Sequence, residues 1–195
     1  MNILIISDSH GRQMAEELEA KNDGWNVVTL RVGRKLHVVL RLYRGKLRGI
    51  RRFRPDAVIM HLGHNDLVLH PIHNLDPDFI TAILDKVYRF ANEVARDLPA
   101  SRIFVSSLFP RVESVRYNET LVGRYNKMAR RFGERLRSRS NQTISSFRAI
   151  INRSLWGRIA RWEVRSGNHK DDGLHMNTVG RGVVADGWIV ALMTE

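Results

Sequence analysis

The chain has 195 residues, 43% of them hydrophobic, which suits one compact domain with a substantial core and excludes a low-complexity or fibrous protein. Without a single cysteine it can form no disulfide, no thiolate metal site and no cysteine nucleophile. Its net charge of +12 is unusual for a small-molecule enzyme and suggests either an anionic neighbour, nucleic acid or an acidic membrane surface, or a solvated basic surface with no fixed partner.

The first apolar run, Ile3–Ile6, is a strand candidate that breaks abruptly into Ser7-Asp8-Ser9-His10-Gly11. It is too short for a signal peptide and has no cationic start, and no run approaches the ~20 residues that span a bilayer. An intracellular location is therefore expected. Met14, Ala15 and Leu18 follow at the spacing of a short amphipathic helix, and Trp25–Val32 has the composition of a second strand. Leu36, Val39, Leu40, Tyr43, Leu47 and Ile50 recur at helical spacing, then Asp56–Leu62 predicts a third strand. Phe79, Ile83, Leu84, Val87, Ala91 and Val94 mark another helix, followed by a strand over Arg102–Leu108. Tyr125, Met128, Ala129, Phe132 and Leu136 repeat the helical pattern, and a weaker strand lies near Thr143–Phe147. The last helix runs from Thr178 to Leu192, with Thr178 as its expected N-cap.

Strands alternating with helices predict an α/β fold, a three-layer α/β/α sandwich of flavodoxin type around a mainly parallel five-stranded sheet. A single domain spanning residues 1–195 is expected, since no repeat or linker interrupts the pattern. In open parallel sheets, sites form where loops leave the carboxyl ends of the strands. Ser9 follows the first strand, Gly33 the second and Gly63-His64-Asn65-Asp66 the third, so these loops open on one edge. Asp172 and His175 stand just before the last helix, where a returning loop reaches the same edge.

The opening block admits two chemistries. An Asp8-x-His10 pair resembles the start of calcineurin-like metallophosphoesterases, whose carboxylate and imidazole ligands activate water against phosphate. A "GNH" block also occurs, in "SGNHKD" at 166–171. The middle of the chain argues against this reading: "GHND" stands where a metal-bridging "GDxxD" belongs, and no terminal "GHxH" follows. His61, His64, His70 and His73 suggest zinc, but they run from a strand end into a Pro-containing loop and match no familiar ligand spacing.

Acyl transfer accounts for more of the residues. A serine hydroxyl is a weak nucleophile until a base takes its proton and a third group orients that base. Ser9, His175 and Asp172, in "DDGLH", supply those three groups. The oxyanion needs donors where charge develops, and the Ser9 and Gly33 amides and the Asn65 side chain are suitable types.

In their order these blocks resemble the SGNH/GDSL hydrolases: "SDSHG", Gly33 in "RVGRKL", "GHND" and "DGLH". The likeness covers the whole chain and extends, through "DSHGR", "RYNKMARRF" and "DGLHMNTVGRG", to the esterase domains in the first open reading frame of some non-LTR retrotransposons. Ser7 replaces the glycine usual before Asp-Ser. The resemblance implies Ser9 as nucleophile, His175 as base, Asp172 as its orienter and Ser9, Gly33 and Asn65 as the oxyanion hole. It also implies a small acyl ester as substrate, with no cofactor and no metal.

Two stretches concentrate the charge. Residues 41–54 carry seven cations and no acid, and residues 124–139 carry seven cations against one acid. Arg44, Lys46, Arg48, Arg51 and Arg52 in the first, and Arg124, Lys127, Arg131 and Arg135 in the second, fit either a solvated outer face with no partner or a surface for a phosphate backbone or an anionic membrane. Neither stretch carries a nucleic-acid recognition motif.

Overall fold

The computed structural model describes residues 1–7, 11–31, 36–68, 77–108, 127, 147–150 and 176–194. The run that opens the chain becomes strand β1 (Asn2–Ser7), and Ile3 through Ser7 are all buried. An apolar strand of this kind, without polar alternation, belongs inside a sheet covered on both faces. It pairs in parallel with β2 (Asn26–Arg31) on one side and β3 (Ala57–His61) on the other. Then β4 (Arg102–Ser106) pairs with β3, and β5 (Phe147–Ile150) with β4, all parallel, in the order β2-β1-β3-β4-β5. The predicted five-stranded α/β architecture is thus the observed one.

Successive residues of β1 serve opposite layers, as a period of two requires. Leu4 and Ile6 join Val58, Met60, Ile103 and Val105 in a core under α2 (Leu36–Phe53), α3 (His64–Val68) and α4 (Pro77–Asp97). Ile3 and Ile5 join Ala57, Ile59 and Phe104 in a second core under α1 (Gly11–Lys21) and α5 (Thr178–Met193). Lys21 and Asp186 tie α1 to α5 with an ion pair of 2.8 Å. At the amino edge of the sheet, Asp56 accepts the Asn2 N–H at 2.7 Å, and Asn2 Nδ2 donates to the Phe53 carbonyl at 3.1 Å. Helix α2 stops there because Arg54 takes a left-handed φ of 51° and Pro55 cannot continue the ladder.

Three boundaries differ from expectation. The N-cap of α5 is Asn177, whose side chain accepts the Gly180 N–H at 3.1 Å, while Thr178 is the first helical residue and accepts from Arg181. An amide one residue earlier reaches the third helical N–H, which displaces Thr178 from the role. The last strand lies at Phe147–Ile150 rather than Thr143–Phe147. It is placed by its register against β4, Ile103 opposite Phe147 through Ser106 opposite Ile150, and not by its own β-branched residues. The stretch Gly63–Asp66, expected as loop, turns into α3 at His64. The helix expected around Tyr125–Leu136 lies outside the described residues except for Lys127.

Candidate active site

Strand order makes one place special. From β1 the sheet extends to β2 in one direction and to β3 in the other, and such a reversal marks the carboxyl ends of β1 and β3 as the place where open α/β sheets bind ligands. Ser7, the last residue of β1, stands opposite both Arg31, the last of β2, and His61, the last of β3. The chain therefore leaves three adjacent strands at the same level.

Between β1 and α1 there are only three residues, Asp8, Ser9 and His10. Their far end is fixed by close packing. A Cβ at Gly11 would fall on the Ser7 side chain and 2.8 Å from the Thr29 methyl, so only glycine lets α1 start this close to the sheet.

After β3 the chain turns at Gly63, whose φ of +109° suits glycine alone, and winds into α3. The Leu67 N–H closes on the Gly63 carbonyl at 3.1 Å, and the Leu67 side chain is buried. Asn65 sits half-buried on this short helix. Beside it, Asp66 Oδ2 accepts the backbone N–H of Leu36, the first residue of α2, at 3.1 Å. Asp66 also lines a cavity of about 310 Å³ between α2 and α4 with Leu36, Leu40, Phe90 and Lys86.

A buried polar chain underlies the same edge. Trp188 Nε1 donates to Ser106 Oγ at 3.2 Å, and Ser106 Oγ donates to the Ser107 carbonyl at 3.2 Å. His61 lies against Trp188 with ring centroids 6.4 Å apart. Burial pushes its imidazole down to about 3, against a backbone hydrogen bond with Ser107 that acts the other way. Met176, fully buried, fixes the chain just before α5.

Of the expected site residues, Asn65 is placed at this edge. Ser9, Gly33, Asp172 and His175 lie outside the described residues, as do Arg124, Arg131 and Arg135, while the strands and helices flanking the first four meet here. Sequence reading missed Asp66 and the Trp188–Ser106 pair. The sequence did signal Asp66, since it is an acid beside Asn65 and α2 opens without an acceptor of its own.

The basic surface is partly spent within the fold. Arg44 makes a two-point contact with Glu93 at 2.6 and 2.9 Å, which holds the Glu93 carboxyl below its ordinary range. Arg51 meets Asp97 at 3.0 Å. Lys46, Arg48, Arg52 and Lys127 are exposed. Among the described residues no three His, Asp or Glu side chains cluster as a metal site, and His61 and His64 are buried while His70 and His73 lie outside. Nor is any described helix long and apolar enough to cross a membrane.

The fold is similar to solved hydrolase structures. A GDSL-like lipase from Bacteroides thetaiotaomicron matches with a TM-score of 0.67 at 11% identity, over 98% of this chain and 87% of that one. An acetyl xylan esterase matches at 0.66 and 16%, over 99% and 100%. A family 3 carbohydrate esterase of Clostridium thermocellum matches at 0.62 and 15%, over 97% and 94%. Identities this low establish the fold alone. No curated protein matches the chain in sequence. The sequence profile described as GDSL-like Lipase/Acylhydrolase matches residues 6–188, nearly the whole chain, and the protein belongs to that family.

Proposed function

We propose that the protein is a serine esterase that hydrolyses small acyl esters, acetyl-type esters first among them. Ser9 Oγ attacks the ester carbonyl as His175 takes its proton, and Asp172 holds the imidazole and stabilises the imidazolium. The tetrahedral oxyanion is met by the Ser9 and Gly33 N–H groups and the Asn65 amide. Collapse breaks the ester C–O bond, His175 returns the proton to the leaving alcohol, and water hydrolyses the acyl-enzyme by the reverse route.

The observation that carries the reading is Asn65 on α3, just beyond the carboxyl end of β3, where the strand order reverses. Chain length supports the rest. Ser9 is two residues beyond Ser7 and Gly33 two beyond Arg31, each within about 7 Å of a strand end, and His175 adjoins the buried Met176. Labelling with a fluorophosphonate followed by peptide mass spectrometry tests it. The adduct is expected on Ser9, and loss of labelling is expected in Ser9→Ala. Labelling elsewhere, or undiminished turnover of 4-nitrophenyl acetate by Ser9→Ala, refutes the mechanism.

A second reading is favoured by the cations that α2 leaves exposed. Arg48 and Arg52, one turn apart on α2, offer a face for a phosphate backbone, with affinity that falls as salt rises. It fits the motif likeness to retrotransposon esterase domains. Arg48→Glu with Arg52→Glu is expected to weaken RNA binding in gel-shift assays at two salt concentrations. Equal binding by wild type and this variant dismisses the face.

A further inference from the structure

We infer that Asp66 is a positioning residue that keeps the glycine loop and Asn65 in register, an inference that rests on the oxyanion-hole assignment above. Among the described residues, α2 supplies no acceptor of its own for its first N–H groups. The residues before it, Val32, Gly33, Arg34 and Lys35, offer no side-chain acceptor, and its first turn holds no acid. The first N–H groups of any helix lack an intrahelical partner, and the positive end of the helix dipole favours an anion. The missing acceptor comes from 30 residues downstream, where Asp66 Oδ2 takes the Leu36 N–H.

Both ends of this bond are anchored. Leu36 and Leu67 are buried in the same core, and α3 is closed by the Leu67 to Gly63 hydrogen bond. The half-buried carboxylate therefore joins two segments with little freedom. One starts three residues after Gly33, and the other carries Asn65 as the immediate neighbour of Asp66. A carboxylate on a backbone N–H is a charge-assisted bond, stronger than a neutral one. Oxyanion donors work only when held ~2.7–3.1 Å from the developing charge, and misplacement by ~1 Å costs about 100-fold in rate. Asp66 contacts the α2 backbone at Leu36, so its assigned role is positional. It acts through the spacing of the two groups assigned to the oxyanion.

The test is steady-state hydrolysis of 4-nitrophenyl acetate by the full chain, with melting curves, for Asp66→Ala, Asp66→Asn and Asp66→Glu beside Ser9→Ala. Asp66→Ala is expected to lower kcat about 10–100-fold with KM little changed. Asp66→Asn keeps an oxygen that can accept the Leu36 N–H and is expected to recover most of kcat. Should Asp66→Ala fail to fold, Asp66→Glu carries the test, because it keeps the charge but moves the acceptor by one methylene and is expected to lose kcat. Wild-type kcat in Asp66→Ala, or in Asp66→Glu if Asp66→Ala does not fold, overturns the inference, as does Asp66→Asn no faster than Asp66→Ala. An active Ser9→Ala refutes the esterase reading itself, whereas an inactive Ser9→Ala beside a fully active Asp66→Ala refutes only the role of Asp66.

Discussion

Trp188 gives its indole N–H to Ser106 Oγ across the buried core, which ties the helix following Asp172 and His175 to the carboxyl end of β4. Ser106→Ala removes the acceptor and leaves a buried donor without it. Such a loss costs about 1–3 kcal/mol, or about 2–12 °C in Tm for a chain of this size. Thermal denaturation followed by circular dichroism reads the shift. An unchanged Tm would show that the pair contributes nothing.

His61 makes stability depend on acid. Burial lowers its folded-state pKa from the ordinary 6.5 to about 3, so between those values the unfolded chain binds a proton that the folded chain refuses. Its contribution is complete above pH 6.5 and is lost progressively as pH falls towards 3. Urea denaturation at pH 7, 6 and 5 is expected to show this decline, and His61→Leu is expected to flatten it. Equal slopes for the two proteins would assign the acid sensitivity elsewhere.

Asn65→Ala removes one proposed oxyanion donor from a half-buried position on α3. Its expected signature is a fall in kcat of about 100–1,000-fold on 4-nitrophenyl acetate, with KM nearly constant, because the interaction exists only in the transition state. A change confined to KM would make Asn65 a ground-state binding group.

Gly11→Ala forces a methyl group against Ser7 and Thr29. Overpacking of this kind costs about 1–3 kcal/mol, and the relief available is a shift of α1 away from β1. A lower Tm and lower esterase turnover together are expected, since the same shift moves the end of the segment that carries Ser9. Unaltered stability would mean that the packing yields easily.

The layers were legible because apolar residues repeat at two periods. Ile3–Ile6 and Ala57–Met60 have the continuous apolarity of strands buried on both faces, and the stripe from Leu36 to Ile50 has helical spacing. Asn65 was legible through the block "GHND" and its place after the third strand. What stayed hidden depends on three-dimensional neighbours. The bond from Leu36 to Asp66 spans 30 residues, the Trp188–Ser106 contact spans 82, and the position of β5 depends on its pairing with β4. The pairing of Arg44 with Glu93 and Arg51 with Asp97 likewise escaped a count of cations along α2, because the acids sit on another helix.

The second core has a consequence for synthesis on the ribosome. Ile3 and Ile5 share a core with Val184, Trp188 and Leu192, which are made about 180 residues later. At ~5–20 residues per second the opening strand waits about 10–40 s for its partner helix. Throughout that interval one apolar face of β1 has α1 beside it but lacks α5. Until then that face is open to non-native association, and the arrival of α5 is what completes this core.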